Sequence, residues 1–447
     1  QSSAHCKIAL LDSMATMESL AKQVEELKLR RAATNTNRER RILYSDSELL
    51  IMEIDSLNEK AGEKQGEKEG EKVGEMEGYA KLKEELEQLS AGASLDYVRR
   101  KRSLLMKVVD KVDEMLRMLA VWLILAAGSV ILAFPCLILA PLDYLLVSWG
   151  VISVFNQAAV RAKILIAGSI LVVSGTHVDL QGVKKELFAE QTVLGCFSHA
   201  SSMDAFIITA TIPVRGLTVC KSELFLIPFF GWCLTAYGGV AIKRGNRDQA
   251  VKALGAAAGA AGCGDCLAIA PEGTRSKSGQ LMAFKKGPFY LWEQLNLPIV
   301  PLVTMGAFEL YPPGCQMSIP GKVYVRFLEP IWPHEASSRE EMSCLVRRRM
   351  LLALRDAPED VAAPLTWPQR LKCWSYMITI YAFWWSVYAL VPYPQMRARM
   401  GMTVAEAWGA VVGLSVSVTL VVYFYAIYLA PVIRKLLVNK SKGVGAV

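Results

Sequence analysis

The sequence lacks a cysteine framework. Its 10 cysteines fall at irregular spacings, and Cys136, Cys196 and Cys233 sit inside apolar runs, which points to packing rather than to a disulfide scaffold. Cys263-Gly264-Asp265-Cys266 is a CxxC with no second pair and no histidine beside it, so it too reads as packing and no metal site is expected. Also missing is any Lys/Arg block interleaved with aromatics. The net charge of +8 therefore points to anionic lipid or anionic substrates, and no nucleic acid is expected as a partner. The first residue is Gln1 and not Met, so a processed or truncated start is expected.

Hydrophobic residues make up 53% of the 447, which excludes a largely disordered chain. Charged residues are still 21%, too many for a chain made of membrane spans alone. The average conceals unlike parts. Residues 1–114 hold 20 basic and 23 acidic residues, whereas 115–447 hold 30 and 19.

Residues 1–114 read as a charged, mostly helical extension. Leu50, Ile54 and Leu57 fall at i, i+4, i+7, as do Leu82, Leu86 and Leu89. Between them Gly62, Gly66, Gly70, Gly74 and Gly78 recur every four residues, mostly followed by Glu-Lys. Each mid-helix glycine costs roughly 1 kcal/mol relative to alanine, so a flexible charged linker is expected there.

Residues 115–160 read as a membrane-embedded segment or hairpin. Residues 118–142 carry no charge over 25 positions, and a span needs ~20, but Pro135 and Pro141 would kink or end a helix. Residues 366–447 read as a transmembrane hairpin, with uncharged runs at Cys373–Met396 and Ala407–Ile433. Arg370, Lys372, Arg434, Lys435, Lys440 and Lys442 would lie on one side, and Arg397 and Arg399 on the other. That asymmetry turns the flanks toward a cytosolic or matrix-type side.

Residues 161–365 read as an α/β domain with a mixed sheet. Strands are expected at Ile170–Val173, Thr192–Phe197, Leu217–Cys220, Leu267–Ala270, Ile299–Val303 and Lys322–Phe327. Helices are expected around 204–211, 224–237, 247–261 and 284–295.

Four features here carry chemistry. Ser198-His199-Ala200-Ser201-Ser202-Met203-Asp204 follows a strand. Five helical residues turn ~500°, so His199 and Asp204 cannot meet within one helix. They can meet if His199 precedes a helix and Asp204 lies in its first turn, where the carboxylate would fix the imidazole tautomer and leave the other nitrogen as a general base. Pro271-Glu272-Gly273-Thr274-Arg275-Ser276 follows another strand and supplies a tight turn, a hydroxyl and a guanidinium fork for phosphate. Lys285-Lys286 and Lys243-Arg244 add cations, each pair readable alone as an ordinary solvated face.

Together these blocks resemble the glycerol-phosphate and lysophospholipid acyltransferase superfamily, typified by 1-acylglycerol-3-phosphate acyltransferases. The family's His-x4-Asp block is matched by His199 and Asp204, with Ser198 where an asparagine is usual. Its PEGTRS block stands unaltered at Pro271–Ser276. Ile242-Lys243-Arg244 and Leu297-Pro298-Ile299-Val300-Pro301 follow its remaining blocks, and the resemblance covers about residues 165–335.

The resemblance implies transfer of an acyl chain from acyl-CoA, as co-substrate, to a hydroxyl of lysophosphatidic acid, glycerol phosphate or a related lysophospholipid, with no further cofactor. His199 and Asp204 would be catalytic. Lys243, Arg244, Glu272, Gly273, Thr274, Arg275, Lys285 and Lys286 would bind substrate. An integral membrane protein of the endoplasmic reticulum or mitochondrial inner membrane is expected. Residues 1–114 and the C-terminal hairpin also suit a structural or lipid-binding subunit of a larger membrane complex, with protein partners on those segments.

Overall fold

The computed structural model describes the backbone of residues 2–34, 36–63, 69–96, 104–129, 157–183, 185–243 and 265–390, with a few isolated positions between them. Arg244, Cys263, the expected helix around 247–261, most of 130–156 and the expected span at 407–433 lie outside the described residues.

The apolar stripes of the N-terminal part do form helices: α1 (Ser2–Ala33), α2 (Asn37–Glu63) and α3 (Glu69–Ala91). The glycine repeat does not stay a linker throughout, because Gly70, Gly74 and Gly78 lie inside α3. The part of α3 that follows the repeat is anchored by tertiary packing. Tyr79, Leu86 and Leu89 are buried against Ile51 and Ile54, and α3 packs along both α1 and α2. Next come α4 (Leu104–Gly128) and α5 (Ala158–Val173), which pack together. The run Ile170–Val173, expected as a strand, is instead the last turn of α5. Ile166, Ile170 and Val173 recur at helical spacing on its buried face.

The sheet has seven strands: β1 (Thr176–Gln181), β2 (Val193–Phe197), β3 (Arg215–Lys221), β4 (Val240–Ile242), β5 (Asp265–Ile269), β6 (Ile299–Met305) and β7 (Gly321–Phe327). Their order is β1-β7-β6-β2-β5-β3-β4. The five strands from β6 to β4 run parallel, β7 is antiparallel to β6, and β1 is parallel to β7. Five of the six expected strands are present. The edge strands β1 and β4 escaped notice, β1 because Thr176-His177-Val178-Asp179-Leu180-Gln181 is polar and little buried, β4 because it has three residues.

Short helices connect the strands: α6 (Lys185–Glu190), α7 (Asp204–Thr211), α8 (Phe230–Ala236), α9 (Gly287–Leu295) and α10 (Ala307–Leu310). The helix expected around 224–237 is broken, since Phe229 takes φ 63° after Pro228 and only a 3₁₀ turn, Ser222–Leu226, precedes it. Two longer helices come last among the described residues, α11 (Arg339–Arg355), capped by Ser338, and α12 (Trp367–Leu390).

Alternating strand residues feed two cores. Leu194, Cys196, Leu267, Ile269, Ile299 and Val303 face a cluster shared with α2, α9 and α11. Val193, Phe197, Cys266, Ala268, Val300 and Leu302 face the opposite cluster, shared with α7. A third cluster joins α4, α5, α8 and α12. Among the described residues, no helix is long and apolar enough to cross a membrane. The outer surface of α12 nevertheless exposes Trp367, Leu371, Trp374, Ile378 and Phe383.

Candidate active site

The topology brings two distant blocks to one sheet edge. β2 and β5 are parallel neighbours with Cys196 opposite Ile269. His199 is three residues past Cys196 and Glu272 three past Ile269, so both loops leave the sheet side by side at the carboxyl ends of the strands. Open parallel sheets place their ligand crevices at these ends.

Asp204 opens α7 and is fully buried. Its Oδ2 accepts the backbone N–H groups of Ala200 and Ser201, both at 2.8 Å, and lies 3.0 Å from Nδ1 of His199. His199 is therefore just ahead of the helix and Asp204 in its first turn, an arrangement in which residues five apart can meet. The His199 side chain keeps 23% of its surface exposed. Its ring meets Phe197 edge-on at 5.8 Å. With Nδ1 turned to a buried carboxylate, Nε2 is the nitrogen placed to exchange protons with a substrate.

Ser198, standing where asparagine is usual in the resembled family, is buried and accepts the Thr304 N–H at 2.9 Å. Its hydroxyl also lies 3.2 Å from that of Thr304. It ties the end of β2 to β6.

Glu272 is 1% exposed, with no open face for a substrate. One carboxylate oxygen accepts the His199 backbone N–H at 2.7 Å and the other the Met282 N–H at 2.9 Å. Burial pushes its carboxyl up to about 8, against the pull of those two donors. The His199 carbonyl in turn accepts the Ser276 N–H at 2.8 Å. The peptide on either side of His199 is thus held by the Pro271–Ser276 loop.

Gly273 adopts φ +69°, a left-handed turn that glycine enters freely. A Cβ there would lie 3.3 Å from Cγ of Lys285. Arg275 donates to the Ser202 hydroxyl, so its guanidinium lies over the loop carrying His199. Thr274, Lys285 and Lys286 are exposed beside it, and the Lys285 N–H closes the loop onto Pro271 O at 2.8 Å. Lys243 follows the edge strand β4, exposed, on the same side of the sheet. It is three strands from β2, about 14 Å at ~4.8 Å per strand. The fold thus gathers His199, Asp204, Glu272, Gly273, Arg275 and Lys285 into one site and leaves Lys243 at its rim.

Ser202, Met282 and Thr304 escaped the sequence reading. Ser202 lies within the His-x4-Asp block and could have been suspected as an anchor. The others act through contacts too far along the chain to leave a local signal.

Beside α7 lies a narrow, largely apolar cleft, lined among the described residues by Leu125, Ile166, Phe206, Ile208, Cys233 and one cation, Lys163. Lys163 is 2% exposed and donates to Ile212 O at 2.9 Å, and burial pushes its ammonium down to about 8.

Residues 180–305 match the Acyltransferase family model. The 1-acyl-sn-glycerol-3-phosphate acyltransferase of Cocos nucifera is 28% identical over 216 residues, 48% of this chain and 66% of that protein. The Saccharomyces cerevisiae protein of the same name is 31% identical over 156 residues, 34% of this chain and 52% of that protein. The match therefore spans between half and two thirds of these relatives. The crystal structure of a 1-acyl-sn-glycerophosphate (LPA) acyltransferase from Thermotoga maritima superposes with a TM-score of 0.45 at 23% identity, covering 57% of this chain and 99% of that one. Over residues 180–305 the chain is similar to the Acyltransferase family, and its relatives there are 1-acyl-sn-glycerol-3-phosphate acyltransferases.

Proposed function

We propose that this chain is a membrane-associated glycerolipid O-acyltransferase that moves a fatty acyl group from acyl-CoA to a hydroxyl of a lysophosphatidic acid-type acceptor. The observation that carries this reading is the His199 ring set on buried Asp204 beside the Pro271–Ser276 loop.

Nε2 of His199 takes the proton of the acceptor hydroxyl as that oxygen attacks the thioester carbonyl. Asp204 keeps Nδ1 protonated and favours the imidazolium that forms. Collapse of the tetrahedral adduct breaks the carbon–sulfur bond, and the departing CoA thiolate takes the proton back from His199. No acyl-enzyme is needed, because the two substrates are held side by side. Arg275, anchored at Ser202, is the group to bind the acceptor phosphate, with Lys285, Lys286 and Lys243 around it. Glu272 takes a positioning role, since both its oxygens are used by backbone N–H groups.

The acyl chain suits the apolar cleft beside α7, where ~0.8 kcal/mol per buried methylene favours its leaving water. The exposed aromatic face of α12 suits the lipid interface from which both amphiphilic substrates come.

The test is CoA release from acyl-CoA and lysophosphatidic acid by the purified full chain. His199→Ala should lower turnover by about 10²–10⁴-fold. Unchanged turnover in that variant would overturn the assignment. Arg275→Ala should chiefly raise the KM for the phosphate-bearing acceptor.

A further inference from the structure

The N-terminal extension carries most of the acidic residues of the chain and belongs to no motif of the site. Its docking position gives it a role. α2 packs along α11, and a buried ion pair joins Arg41 of α2 to Glu309 of α10, their side chains 4% and 1% exposed. Arg347 of α11 pairs with Glu48 of α2 at 2.7 Å.

Four further hydrogen bonds converge on one short segment, 278–282. The Tyr44 hydroxyl donates to Leu281 O. The Leu95 N–H donates to Ser278 O at 2.8 Å. Gln280 Nε2 donates to Ala93 O at 2.5 Å and to Arg40 O at 3.4 Å. Tyr44, Gln280 and Leu281 are all buried, so water does not readily replace these bonds.

The segment they hold is the one that fixes Glu272. Met282, the residue after Leu281, gives its N–H to one Glu272 oxygen, and the His199 N–H takes the other. Four links therefore run from Tyr44 to the His199 backbone: hydroxyl to Leu281 carbonyl, peptide to Met282 N–H, Met282 to Glu272, Glu272 to His199.

We infer that Arg40 and Tyr44 of α2, with residues 93–95, are a built-in positioning element for His199, acting through the 278–282 segment and Glu272. None of these residues touches the reacting atoms, and their effect reaches catalysis only through the placement of the His199 peptide. The kinetic half of this inference rests on the acyl-transfer reading, while the mechanical half does not.

The experiment uses the full chain with Tyr44→Phe, which removes one hydroxyl and no packing volume, and with Tyr44→Phe/Gln280→Met, which cuts a second tie. Lys83→Ala, which breaks an ion pair to Asp55 within the extension, is the control. Hydrogen–deuterium exchange is followed for peptides covering 193–204 and 278–284, together with kcat and KM.

Losing one buried tie should speed amide exchange in both peptides by up to about tenfold, with no change elsewhere. In parallel kcat should fall by about five- to tenfold, with both KM values within about twofold of wild type, because substrate contacts are untouched. The double variant should go further in the same direction, and Lys83→Ala should match wild type. Exchange and kcat unchanged in both variants would overturn the inference. So would a fall in kcat accompanied by faster exchange over the whole chain, which is general destabilisation. Should wild type transfer no acyl group while the two peptides still exchange faster in Tyr44→Phe, the acyl-transfer reading falls and the mechanical tie to His199 stands.

Discussion

The two faces of the sheet are built differently. On one, the N-terminal helices and α11 close over the core, and buried polar ties join them to the loops at the strand ends: Arg41 to Glu309, Tyr44 to Leu281, Gln280 to Ala93. On the other, α5, α7 and α8 leave an apolar cleft with one buried cation. His199 and Asp204 stand at the carboxyl edge where the two meet. The contrast fits a division of labour. A general base needs a fixed position to within a fraction of an ångström, whereas a flexible lipid chain needs room and no directional bonds.

The largest effect should come from breaking the fixed side at its centre. Asp204→Asn keeps the shape but removes the charge and offers an amide where Ala200 and Ser201 already donate. The ring of His199 then loses its tautomer control, and kcat should fall by about 10³–10⁴-fold while the far-ultraviolet circular dichroism spectrum stays the same. A fall of less than about tenfold would separate Asp204 from the chemistry and leave it as a helix-start residue.

Asp204 also marks how far the sequence was legible. The His-x4-Asp spacing excluded one helix and allowed a turn before one, which is the geometry found, because both partners are local. Buried strands such as Val193–Phe197 and Ile299–Met305 announce themselves as apolar runs. Ile170–Val173 announces itself falsely, since a helix apolar on nearly all sides looks like a buried strand over four residues. The role of Glu272 was not legible. Its partners, His199 and Met282, are set by strand order, and strand order is absent from local pattern. The tie from Tyr44 to Leu281 joins residues 237 apart in sequence, and nothing near either one signals the other.

The next effect is on stability. Arg41 and Glu309 lost nearly all water on folding, and burial alone pushes the guanidinium down to about 10. Removing one partner strands the other charge, so Arg41→Met should cost about 3–5 kcal/mol in urea unfolding. The double variant Arg41→Met/Glu309→Leu should recover most of that, because no unpaired charge remains. If the double is no better than the single, the pair itself stabilises the docking of the extension, and the closed face owes more to charge than to apolar packing.

Glu272 gives the closed face a pH signature. Its carboxyl is raised from an ordinary value of 4.5 to about 8. Between those values the folded state holds a proton that the unfolded state has released. Stability from this group is therefore complete below about 4.5 and is lost as pH rises through 8. The slope should reach roughly 1.4 kcal/mol per pH unit, and Glu272→Gln should abolish it in urea titrations run from pH 5 to pH 8. A wild type whose stability relative to Glu272→Gln rises over that range would show that the carboxylate is instead the preferred buried form.

The smallest effect is expected in the open face, and its sign is opposite. Lys163 is as buried as Arg41, yet it has a carbonyl for a partner in place of a carboxylate. Below pH 8 the folded state carries the cost of a desolvated ammonium. Between 8 and 10.5 the folded state has released its proton while the unfolded state keeps one, so stability rises with pH across that window. Lys163→Met removes the cost and also removes the hydrogen bond to Ile212 O. The two terms oppose each other, and the net change at pH 7 should be about 1 kcal/mol or less in urea unfolding. A loss beyond about 3 kcal/mol, comparable to Arg41→Met, would place an unseen anionic partner on Lys163 and would end the contrast between a tied face and an open one.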